Sequence, residues 1–202
     1  NPDVMTCDVQ MPGMSGIDFL KELIPTNPLP VVLVSSLNLR VFDALHAGAV
    51  DFVRKPDGTQ SPEAFIQSLA QKVVVAANSK VRRPRAMTEA SAVLPAAKLG
   101  GNAQVVIGLG ASTGGTEATL EVLKRLPDDI PGMVIVQHMP VGFTQMYAER
   151  LNRLCAMEVR EAKNGDEVKR GLALLAPADF QCRMQRTPSG GYILRVETNE
   201  KV

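Results

Sequence analysis

Apolar and polar positions along this chain switch between two periodicities, and the switching predicts most of its elements. Residues 4–8 form a short apolar run ending in an acid, followed by the turn-rich Met11-Pro12-Gly13-Met14-Ser15-Gly16. Ile17, Leu20, Leu23 and Ile24 then recur at helical spacing, and Pro25 predicts that the helix stops there. Residues 30–36 (PVVLVSS) predict a buried strand ending in two hydroxyls. Residues 39–47 predict a short helix closed by Gly48, and residues 50–53 a strand ending at Arg54-Lys55-Pro56. Residues 62–76 predict a helix carrying Phe65, Leu69, Val73 and Ala76 on one face. Strands alternating with helices imply a parallel sheet, whose carboxyl edge collects Asp8, Ser35 and Lys55.

Periodicity lapses at residues 79–102, where Lys80, Arg82, Arg83 and Arg85 precede a stretch of Pro, Ala, Ser and Gly. That is the composition of a solvated linker. The expected division is a first domain over 1–78, a linker over 79–103 and a second domain over 104–202.

The second domain opens with the apolar run Val105-Val106-Ile107, breaks into Gly108, Gly110, Gly114 and Gly115, and resumes with Leu120, Leu123 and Leu126 at helical spacing, Val122 beside them. Strand, glycine turn and helix put Ser112 at the carboxyl edge of a parallel sheet. Residues 132–137 predict the next strand, and Phe143, Met146, Tyr147, Leu151 and Leu154 an amphipathic helix. The chain then becomes β-rich. Residues 172–176 are apolar, and Phe180, Cys182 and Met184 alternate, as do Tyr192, Leu194 and Val196, across a Pro188–Gly191 turn; that predicts a hairpin.

Composition narrows the function classes without choosing one. The chain has 202 residues, 45% hydrophobic and 21% charged, with net charge +1 and 4% aromatics, which argues against a nucleic-acid surface. No apolar run approaches the ~18 residues of a membrane span, so no membrane insertion is expected. No signal peptide is visible at the start, Asn1. Three cysteines without a CxxC and only two histidines supply no metal site and fit a reducing compartment, the cytoplasm.

Two chemistries use such a glycine turn. A dinucleotide pyrophosphate can lie against it, which calls for an acid at the end of the next strand to hold the ribose. Alternatively, Gly110-Ala111-Ser112-Thr113-Gly114 fits G-x-S-x-G, an elbow that presents a nucleophilic serine. The next strand ends in His138, the general base a serine needs, so the elbow is the better reading. Ser112 read alone could instead cap the helix, His138 alone could be a buried histidine, and Thr113 suits a cap as well as it suits support of the site.

Together, G-A-S-T-G-G and, with its His 26 positions after the Ser, Q-H-M-P resemble the chemotaxis protein-glutamate methylesterase family. In the first domain, D-V-Q-M-P-G-M-S-G and F-V-R-K-P resemble a response-regulator receiver domain. The resemblance implies a flavodoxin-like receiver, N-terminally truncated, linked to a doubly wound α/β methylesterase domain with a β-hairpin, C-terminally truncated. It implies Ser112 as nucleophile and His138 as base, with no catalytic cofactor and a third triad aspartate beyond Val202. It also implies Asp8 as phosphoacceptor, Lys55 and Ser35 contacting the phosphoryl group, Phe52 as the switch aromatic, and Mg²⁺ held by acids that precede this chain. Methyl-accepting chemoreceptors would be the substrate and a histidine kinase the phosphodonor. The expectation from another class is a non-catalytic two-domain signalling module.

Overall fold

The computed structural model describes residues 2–36, 40–58, 61–81 and 105–198, which fall into two compact units, residues 1–89 and 90–202. Residues 82–103 of the expected linker lie outside the described residues. Among those described, no helix is long and apolar enough to cross a membrane.

The first unit runs β1 (Met5–Asp8), α1 (Gly16–Thr26), β2 (Val31–Ser35), α2 (Arg40–His46), β3 (Asp51–Arg54) and α3 (Pro62–Ala77), with a parallel sheet in the order β1-β2-β3. β2 is the centre: Val31, Val32 and Leu33 are fully buried, the apolar run expected of a strand covered on both faces. Ser15 and Ser61 cap α1 and α3, each accepting from the N–H three residues on. α3 lays Phe65, Leu69, Val73 and Ala76 against Val32 and Val53, the face that the 3.6-residue period marks. α1 does not stop at Pro25. The proline sits inside its last turn, and the helix ends at Asn27, whose N–H bonds Leu23 O at 2.7 Å. Late in a helix the N–H that Pro lacks is one bond near a fraying end, so the local cost is small.

The second unit runs β4 (Ile107–Ala111), α4 (Gly115–Leu123), β5 (Met133–Gln137), α5 (Phe143–Leu154), β6 (Glu158–Glu161), β7 (Asp166–Glu167), β8 (Leu172–Leu175), β9 (Phe180–Arg186) and β10 (Tyr192–Thr198). One sheet is parallel throughout, in the order β4-β5-β8-β6, and the other is antiparallel, β7-β10-β9. The α/β class and the hairpin are thus as expected. The first strand is displaced, however: Gly108 and Gly110 lie within β4, and the turn is confined to residues 112–114. Gly108 and Gly110 have nothing within 4 Å of where a Cβ would stand, so they leave one side of β4 bare rather than making the turn. β6 and β7 escape the sequence pattern. β6 buries Val159 alone of its four residues, because it is the edge of its sheet, and β7 is two residues long.

Candidate functional site

Each unit gathers chemistry-bearing side chains at the carboxyl edge of its parallel sheet, where strands end and helices begin. In the first unit, Asp8 pairs in register with Val34, and Ser35 with Arg54, so the ends of β1, β2 and β3 lie side by side. Lys55 N–H donates to Ser35 O at 2.8 Å, and Lys55 Nζ forms an ion pair with Asp8 Oδ2. Asp8 Oδ1 accepts from Gln10 N–H at 3.1 Å. Ser35 reaches the same edge, but its buried hydroxyl donates to Ser36 O at 3.1 Å, not to Asp8. Phe52 is buried, edge-on to Phe42 with centroids 6.4 Å apart, and takes the Lys72 ammonium over its ring at 5.6 Å.

Burial pushes the Asp8 carboxyl up, but the bonds from Lys55 and Gln10 outweigh it and hold Asp8 below its ordinary value. A depressed folded-state pKa contributes stability that is present above the unfolded value of about 3.9 and lost as pH falls through the folded one. Asp8→Asn is therefore expected to flatten the acid limb of a denaturant-midpoint profile, below about pH 5. An acid limb with the same slope in the variant would show that Asp8 contributes nothing to it.

These residues do not make a Mg²⁺ cage. Among the described residues no group of three or more His, Cys, Asp or Glu could hold a metal ion, and the Asp8 oxygen facing Lys55 is committed to an ammonium.

In the second unit, β4 and β5 pair in parallel with Ala111 opposite Gln137, and His138 N–H donates to Ala111 O at 3.2 Å. Ser112 and His138 therefore leave neighbouring strands side by side at one edge, and both are exposed. Ser112 is not the helix cap. The cap position of α4 is Gly114, at φ +76°, and no side chain bonds there. A left-handed residue at that point favours glycine, and it turns the chain from strand to helix within three residues. Thr113 lies in the turn ahead of that position. Gly115 answers a different need: a Cβ there would stand 2.6 Å from Ala111 Cβ and closer still to Gln137 Oε1.

α5 anchors the elbow helix from behind. Tyr147 donates its hydroxyl to Thr116 O at 2.6 Å, and Arg150 pairs with Glu117 Oε1 at 2.9 Å. Burial pushes the Tyr147 phenol far above its usual range, so it serves as a donor and not as a titrating group. Two acids later in the chain have partners of their own: Asp166 accepts from Arg160 and Lys163 N–H, and Glu197 pairs with Arg183. Sequence reasoning missed Gln137, whose Nε2 donates to both Ser112 O and His138 O, at 2.9 and 3.3 Å. The available signal was a polar residue closing a buried strand within Q-H-M-P.

Both units have relatives among known proteins. A family model described as CheB methylesterase matches residues 107–201, and one described as response regulator receiver domain matches residues 1–67. The chain is similar to protein-glutamate methylesterase/protein-glutamine glutaminase 2 of Syntrophomonas wolfei, 49% identical across all of this chain and 58% of that protein. It is also similar to the protein-glutamate methylesterase/protein-glutamine glutaminase of Syntrophotalea carbinolica, 45% identical across all of this chain and 60% of that protein. The chain thus spans less than two thirds of the length of these relatives. The Thermotoga maritima CheB methylesterase catalytic domain aligns at TM-score 0.47 and 33% identity, over 50% of this chain and 53% of that one.

Proposed function

The chain belongs to the CheB methylesterase family in its form with a response-regulator receiver domain, and from that we propose a phosphorylation-regulated serine hydrolase of bacterial chemotaxis. It removes methyl groups from glutamate methyl esters of chemoreceptors and deamidates glutamines there, working in the cytoplasm. The observation that carries the reading is the pairing of β4 with β5, which brings the ends that bear Ser112 and His138 together.

Ser112 Oγ attacks the ester carbonyl carbon while His138 takes the hydroxyl proton. Backbone N–H groups of the elbow, Thr113 among them, stabilise the oxyanion, each typically worth ~3–4 kcal/mol. The bond to the methoxy oxygen then breaks, His138 returns the proton to that oxygen, and methanol leaves. A water molecule deprotonated by His138 opens the acyl-enzyme, which restores Ser112 and leaves a glutamate carboxylate. An amide substrate follows the same course with ammonia leaving. At the other unit, Asp8 is the phosphoryl acceptor, with Lys55 neutralising an equatorial oxygen, and a histidine kinase is the donor. Ser35 would have to turn from Ser36 O to reach the phosphoryl group. Phe52 is the aromatic whose packing registers the change.

Methanol release from a methylated chemoreceptor fragment tests the reading. The whole protein should release methanol in proportion to the glutamate formed. Saturable binding of the fragment with no methanol above the uncatalysed rate would favour the non-catalytic signalling module.

A further inference from the structure

We propose that Gln137 is a positioning residue for the Ser112–His138 pair, an assignment that rests on the serine-hydrolase reading above. Gln137 closes β5 and is 6% exposed. Its single amide nitrogen donates to Ser112 O at 2.9 Å and to His138 O at 3.3 Å. One side chain, 25 positions along the sequence from Ser112, thereby ties together the main chain of the two residues that carry the chemistry.

The orientation of this amide follows from its partners. Both are carbonyl oxygens, so only the NH₂ end can face them. Oε1 is then turned towards Gly115, where it is buried with no hydrogen-bond partner among the described residues. Packing alone does not favour such a residue: a methionine fills similar volume and leaves no acceptor orphaned. What glutamine supplies and methionine lacks is a pair of donors aimed at two strand ends. Ser112 O also accepts from Gly115 N–H at 2.7 Å, so two donors hold the carbonyl of the serine and fix the backbone from which its side chain departs. Gly115 belongs to the same device, because any Cβ there would displace the amide.

The test is fluorophosphonate labelling of the whole protein, resolved into a maximal inactivation rate and a half-saturating concentration, for the parent, Gln137→Met and Ser112→Ala. Gln137→Met should lower the maximal rate by about 10- to 100-fold, the loss that follows small misplacement of a reacting group. Half-saturation should stay within about twofold, and the melting temperature should be unchanged or higher, since the orphaned acceptor is gone. A merely structural role predicts the opposite pattern, a lower melting temperature with an unchanged maximal rate. If Gln137→Met does not fold, Gln137→Leu carries the same comparison. Labelling that is abolished in Ser112→Ala but keeps its maximal rate within about twofold in the Gln137 variant overturns this assignment alone. Labelling that survives Ser112→Ala overturns the serine reading and this assignment with it.

Discussion

Ser112→Ala is expected to abolish fluorophosphonate labelling and to cut ester hydrolysis by about 10⁶-fold in kcat, the loss that follows removal of a nucleophile from a serine hydrolase. The size of the effect reflects what remains. Without Oγ no acyl-enzyme forms, and only oxyanion stabilisation and substrate positioning are left to accelerate direct attack by water. His138→Ala should cost nearly as much, because an unassisted serine hydroxyl is a weak nucleophile at neutral pH. The double variant should be no worse than either single one, since the two side chains act as a unit. Both are exposed at strand ends, so neither substitution opens a cavity, and melting temperatures should match the parent. Hydrolysis that falls less than about tenfold in Ser112→Ala would exclude it as the nucleophile.

The second large effect is on stability. Lys72→Met is expected to destabilise the first unit by about 3–5 kcal/mol, although methionine suits a helix and keeps the length of the side chain. Lys72 Nζ lies 2.7 Å from Asp51 Oδ1, and the two side chains are only 8% and 10% exposed. Removing the ammonium leaves the carboxylate buried with the Phe52 N–H, 2.7 Å away, as its remaining close donor among the described residues. The ring of Phe52 loses its cation as well, a contact of about 0.5–2 kcal/mol. The penalty belongs to the stranded charge and not to the pair. Lys72→Met combined with Asp51→Leu should therefore recover most of the loss, because apolar replacement of a buried ion pair is often neutral or better. Denaturant unfolding of the two variants decides it. A loss below about 1 kcal/mol in Lys72→Met would mean that water reaches Asp51 in solution.

Much of this molecule is legible in one dimension. β2 is a continuous apolar run and α3 repeats a 3.6-residue period, and both patterns report burial directly, since a face is apolar because it is covered. Asp8, Lys55, Ser112 and His138 could be read because each ends an apolar run, and in a parallel sheet the run ends gather at one edge. Interactions within a few residues or between repeating faces are thus encoded in order and spacing.

What only the tertiary structure decided lies between residues with no such relation. Asp51 ends up facing Lys72, Gln137 reaches the carbonyl of Ser112, and Tyr147 and Arg150 of α5 hold the first turn of α4. In sequence these are a charge in a helix, a polar strand end and two residues of an amphipathic pattern. A buried polar group must find its partner wherever the fold brings a donor or acceptor within about 3 Å, and that meeting depends on which helices and strands pack together. Period and spacing fix what each element buries; only three-dimensional proximity fixes what each buried polar atom binds.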